Sequence, residues 1–146
     1  MKTHCLAEEV DWVKHNQKYM MQGVPGLLLC GVPQPETHVQ AIAAAFLRNY
    51  KDARVMSLHQ VLSLLDKGNM PMPTVLLIPN LYLSMPTTST NKSLPAWKVL
   101  SLHDYLLQRD VKGKATVAYV DSLEGVKAEY GDHFHSFLEK YKIVKG

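Results

Sequence analysis

Apolar residues fall in short continuous runs separated by stretches of helical spacing. Leu6, Val10, Val13 and Tyr19 recur at helical intervals and predict an opening helix to about Met21. Gly23-Val24-Pro25-Gly26 breaks it. Gly26-Leu27-Leu28-Leu29-Cys30 is apolar without alternation, the pattern of a strand covered on both faces. A loop, Gly31-Val32-Pro33-Gln34-Pro35, leads into a helix marked by Val39, Ile42, Ala43, Phe46, Leu47 and Tyr50. Arg54–Ser57 reads as a weaker strand, Leu58–Asp66 as a helix stopped by Gly68, and Thr74–Ile78 as a third strand, again apolar throughout. Pro79 to Ala96 contains three prolines and a Thr/Ser/Asn run and reads as a long exposed loop. Trp97–Gln108 is a helix with a broad apolar face. Ala115–Val120 is a strand, Leu123–Tyr130 and Phe134–Leu138 are helices, and Tyr141–Val144 is a last strand.

Strands alternating with helices imply parallel pairing with right-handed crossovers. The expected fold class is therefore α/β with a mostly parallel five-stranded sheet, its Gly26 and Thr74 strands interior. Residues 1–146 read as one domain, with 1–25 a helix and linker and 26–146 the core. Composition adds little to this. A net charge of +3 and a pI near 8.8 permit nucleic-acid contact without arguing for it. The basic residues are scattered, apart from Arg109, Lys112 and Lys114 and a second group at Lys140, Lys142 and Lys145; a solvated surface accounts for both. Two cysteines provide no disulfide framework, and Cys30 reads as a buried thiol. The first residues lack the order of a signal peptide, and no apolar run approaches a membrane span, so a cytoplasmic protein without membrane contact is expected.

The segment from Gly26 through Gly31-Val-Pro-Gln-Pro-Glu-Thr-His into the Ala-rich helix occupies the place of a P-loop. It resembles the AAA+ core of bacterial helicase loaders and the related transposition ATPases, the DnaC/IstB family, in which an apolar strand runs into Gly-x-Pro-Gly-x-Gly-Lys-Ser/Thr. Val75–Leu81 looks like that family's Walker B strand, Ala115–Ser122 like its sensor strand, and Tyr130–Leu138 like the segment that holds the arginine finger. The resemblance implies a three-layer P-loop NTPase fold.

The chemistry the resemblance would carry is missing residue by residue. Aligned on Gly31 and Pro33, the second glycine is Gln34 and the glycine before the lysine is Glu36. The lysine position holds Thr37, and the Mg²⁺-binding hydroxyl position holds His38. Pro35 removes one more backbone donor. The Walker B acids are matched by Pro79 and Asn80, the sensor tip loosely by Asp121, and the finger by Phe137. The expectation is a domain without catalytic residues or cofactor, kept for its shape.

Other groupings are weaker. Glu36 and His38 read as a helix N-terminal turn in which the carboxylate complements the helix dipole, in preference to an acid–base pair. Asp132, His133 and His135 lack further ligands at a recognisable spacing, so no metal is assigned. Ser57, His59 and Asp66 form no recognisable triad. The first reading is thus a pseudo-ATPase interaction module. Its partner would be a replicative helicase or an AAA+ subunit, or a second copy of itself. Contact residues are expected on the first helix (Trp12, Tyr19, Met20) and the long loop (Leu81, Tyr82, Leu83, Met85), although core packing is as good an account of Trp12. The alternatives are a nucleic-acid-binding module using Arg109, Lys112 and Lys114, and a nucleotide-dependent enzyme with a non-standard site.

Overall fold

A computed structural model of the chain describes residues 7–84 and 94–146. The elements run α1 (Ala7–Met21), β1 (Gly26–Cys30), α2 (Pro35–Arg48), β2 (Ala53–Val55), α3 (Leu58–Lys67), β3 (Val75–Tyr82), α4 (Ala96–Val111), β4 (Ala115–Val120), α5 (Leu123–Tyr130), α6 (Asp132–Leu138) and β5 (Lys142–Lys145). The five strands form one sheet in the order β2-β3-β4-β1-β5, and every pairing is parallel. β1 and β3 are interior, as their unbroken apolar runs require, and β4 lies between them.

Strand periodicity divides the core in two. Leu27, Leu29, Val75, Leu77, Val117 and Tyr119 point to one face and pack with Trp12, Val39, Ile42 and Phe46 from α1 and α2. Leu28, Leu76, Ile78, Ala118 and Val120 point to the other, against Val61, Leu102, Leu106, Phe134 and Phe137. The result is a three-layer sandwich. Gly26 permits the closest approach within the sheet, since a Cβ there would lie 1.8 Å from the Thr116 carbonyl oxygen.

The structure departs from the sequence expectation most clearly at β3. The strand does not end at Pro79 but continues to Tyr82. Pro79 has no N–H, and between Ile78, opposite Ala118, and Tyr82, opposite Val120, the ladder shifts register. Two apolar side chains carry the strand past the irregularity: Leu81 and Tyr82 are both buried. Tyr82 donates from its hydroxyl to Glu129 Oε2 (2.6 Å), and Tyr130 donates to the Leu81 carbonyl (2.9 Å). The two tyrosine rings meet edge to face at 5.3 Å.

Candidate functional site

In a parallel α/β sheet, loops at the carboxyl ends of the strands are the natural binding crest. Here that crest joins the β1–α2 loop, the end of β3 and the end of β4. Gly31, at φ +67°, turns the chain out of β1 and donates its N–H to the Val120 carbonyl (3.0 Å). Asp121 N–H donates to the Tyr82 carbonyl (3.1 Å), and the Asp121 Oδ2 accepts from both the amide and the hydroxyl of Ser84 (2.8 Å each). The Asp121 carboxylate thereby ties the ends of β3 and β4 together. Its other oxygen, Oδ1, is buried and has no hydrogen-bond partner among the described residues.

The β1–α2 loop has one backbone conformation that is unusual for its residue type. Gln34 sits in the left-handed region (φ 50°, ψ 58°) at the N-cap of α2, where the resemblance places a glycine. Its side chain makes no capping bond.

Half of the loop's N–H donors are spent. Gly31 N–H is bound to Val120, Pro33 and Pro35 have none, and Thr37 and His38 N–H both turn back onto the Gln34 carbonyl (3.0 and 3.4 Å). That leaves the amides of Val32, Gln34 and Glu36 without a backbone partner among the described residues. Val32 is itself buried, and the Glu36 carboxylate stands exposed in the first turn.

His38, which the resemblance sets against the Mg²⁺-binding hydroxyl, is buried against α1. Its Nδ1 lies 2.8 Å from both carboxylate oxygens of Glu9, which is fully enclosed. The pair that forms is therefore Glu9–His38, between helices, and Glu36 is not part of it. Asn80, which the resemblance sets against a Walker B acid, accepts at Oδ1 from the Leu58 N–H at the start of α3 (2.8 Å), so the side chain acts as a helix tie. Phe137, which the resemblance sets against the arginine finger, is buried in α6 against Tyr141 and His103.

Several expected contact residues are relocated. Trp12 is 0% exposed and packs edge to face on Phe46, so it belongs to the core. Leu81 and Tyr82 are held against α5, as described above, and offer no free surface. Tyr19 and Met20 are half-buried, with the Tyr19 hydroxyl donating to Asp11, while Leu83 is exposed. Met85 lies outside the described residues.

Arg109 is also 0% exposed. Its guanidinium donates to Thr116 Oγ1 (3.0 Å) and to the carbonyls of Pro73 (2.8 Å) and Ala115, pinning the start of β3 to the start of β4. Burial lowers its pKa from the ordinary arginine value. It is removed from the basic cluster, which keeps an exposed Lys112 and a half-buried Lys114. Cys30 is half-buried with a free thiol. Ser57 is committed to a capping box with Gln60 at the head of α3. His135 faces Glu139 at 3.8 Å, and among the described residues no three His, Cys, Asp or Glu side chains converge. No described helix is long and apolar enough to cross a membrane.

No family model matches the sequence, and no curated protein matches it at significance. Solved structures share the fold. A replication initiator DnaA bound to AMPPCP and single-stranded DNA aligns with a TM-score of 0.64 at 10% identity, over 99% of this chain and 47% of that one. AMPPCP-bound DnaA from Aquifex aeolicus gives 0.62 at 11%, over 99% and 48%. Domain III of DnaA from Thermotoga maritima gives 0.63 at 16%, over 93% and 58%. The chain spans about half the length of the first two structures. At these identities the likeness establishes the architecture, an AAA+-type P-loop fold with an all-parallel five-stranded sheet.

Proposed function

We propose that this chain is a non-hydrolysing AAA+-type domain that works through protein contacts in DNA replication, helicase loading or mobile-element maintenance. The observation that carries the reading is the donor accounting along Gly31–His38. A phosphate-binding loop needs converging backbone N–H groups and a lysine. Here two positions are proline, three amides are internally bonded and only three remain, the resemblance puts Thr37 at the lysine position, and the exposed Glu36 carboxylate in the first turn of α2 would repel a polyphosphate. The left-handed Gln34 supports descent from a loop that once held glycine there. His38 and Asn80, at positions that would serve the metal and the attacking water, are each engaged in holding two elements together.

The replication setting rests on the kind of protein that shares the fold and on the loader-like motif order. The nucleic-acid alternative is weakened, because Arg109 lies in the core. Steady-state phosphate release from Mg²⁺–ATP, with and without DNA, tests the catalytic half of the reading. Release at background in both conditions is expected. Turnover above background that disappears in Thr37→Ala or Glu36→Gln refutes it.

A further inference from the structure

Helix α4 presents apolar residues to solvent where a surface helix ordinarily carries polar ones. Its buried side is Val99, Leu102, Tyr105, Leu106 and Arg109. On the opposite side Trp97 is 55% exposed, Leu100 67%, Leu107 37% and Val111 86%. With exposed Asp104 between them, these residues step three, four, three and four positions along the helix, which places all five on one narrow outer stripe. The pattern explains why the apolar face of this helix is so broad in the sequence: α4 has two apolar faces, and the sheet covers one.

A groove of about 420 Å³ runs beside the stripe, between α3 and α4. Leu65, Met70, Met72 and Tyr105 line it, with Asp104 and Lys112 among its polar residues. Methionine-lined grooves adapt readily to an apolar helix.

We infer that the outer stripe of α4 and the adjoining α3–α4 groove dock an amphipathic α-helix of a partner protein that carries a lysine or arginine opposite Asp104. The chain's own remaining residues are poor candidates for the cover. Residues 85–93 contribute only Met85 and Pro86 as apolar side chains, and residues 1–6 lead into α1, which packs on the opposite face of the sheet from α4. A second copy is also disfavoured. When two such stripes pair about their midpoints, parallel or antiparallel, Asp104 faces Asp104, and like charges directly opposed are destabilising. A basic residue at that point of a different helix reverses the sign and fixes the register. The surface gives the proposed interaction role a location and rests on that role only for its biological setting; it does not depend on the state of the nucleotide loop.

Two synthetic peptides of about 18 residues, five helical turns, provide the probe. Both carry leucine at stripe spacing. One has lysine at the central stripe position and the other has glutamate. Binding to the full chain is followed by fluorescence anisotropy of labelled peptide and by tryptophan emission. Trp12 is already enclosed, so a blue shift on binding reports Trp97.

The lysine peptide is expected to bind at least tenfold more tightly than the glutamate peptide. Asp104→Lys should reverse that preference, and Leu100→Glu should abolish binding with an unchanged thermal melt. The inference is overturned if neither peptide binds, or if wild type and Asp104→Lys show the same preference. It is also overturned if sedimentation shows a wild-type dimer that Leu100→Glu dissolves, because the occupant is then a second copy. None of these results bears on ATP turnover, so docking and the nucleotide reading fail separately.

Discussion

Replacing Arg109 should destabilise the fold rather than remove a nucleic-acid contact. The side chain is fully enclosed, and its three donor nitrogens serve Thr116 Oγ1 and the Pro73 and Ala115 carbonyls. In Arg109→Ala two buried carbonyls lose a charged donor, at about 1–3 kcal/mol each. The vacated volume adds a packing term, and release of the guanidinium from its desolvated position offsets part of the loss. The net cost should be about 3–5 kcal/mol, a large share of the roughly 5–15 kcal/mol by which a domain is stable. At about 2–4 °C per kcal/mol for a chain near this size, Tm should fall on the order of 10 °C. Arg109→Lys keeps the charge, but a point ammonium does not span three separated acceptors, so it should melt between wild type and alanine. Urea unfolding and thermal melts, with DNA binding measured well below the melt, separate the two readings. An alanine variant that melts within about 2 °C of wild type, equivalent to less than about 1 kcal/mol, and loses salt-sensitive DNA binding would refute the buried-anchor reasoning.

The remaining outcomes concern the core and the crest. Trp12→Ala should cost about 3–5 kcal/mol in chemical unfolding, because the indole fills the space against Phe46. His38→Ala should cost about 1–3 kcal/mol by leaving the Glu9 carboxylate without that partner. Gln34→Gly should raise stability by a few tenths to about 1 kcal/mol, because relief of the left-handed backbone outweighs the added freedom of the unfolded chain, read as a shift in urea midpoint. Alkaline pH should destabilise the fold: burial, followed by the hydrogen bond to Glu129, pushes the Tyr82 pKa from 10 up to about 12, and burial also raises Tyr130 and Tyr141. A raised folded pKa means that the native state holds its proton longer than the unfolded chain. The contribution is complete below pH 10 and is lost as pH climbs toward about 12, and Tyr82→Phe should flatten that loss in pH-dependent urea midpoints.

The parallel sheet was legible because β1 and β3 are apolar without alternation, and only a strand buried on both faces between helices requires that. The end of β3 was not, because Pro79 is a strong local stop signal, while the tertiary contacts of Leu81 and Tyr82 with α5 outweigh it. On α1 the helix was read from Val10 and Val13, but Val10 faces outward. The inner side carries Glu9, Trp12 and Val13, and a charged residue in that position registers in sequence as surface. Its partner His38 lies 29 residues away, beyond any local pattern, although a polar residue three positions before a tryptophan on a helix was the available sign. Arg109 was misplaced for a related reason: its spacing from Leu102 and Leu106 puts it on the buried face, but charge composition groups it with Lys112 and Lys114. The turn from β1 into α2 followed from Gly31 and Pro33, while the left-handed Gln34 is visible only in the backbone.

In the proposed reading the loop from Gly31 to His38 has the place of a phosphate cradle without its binding capacity. Isothermal titration of Mg²⁺–ATP into wild-type protein tests it most directly, with the Gln34→Gly, Glu36→Gly, Thr37→Lys triple variant titrated alongside. The account predicts no wild-type binding tighter than about millimolar, about 4 kcal/mol, and a measurable gain in the variant, which recovers the flexible turn, loses the opposing carboxylate and acquires the lysine. Micromolar, Mg²⁺-dependent binding by the wild-type chain would contradict it.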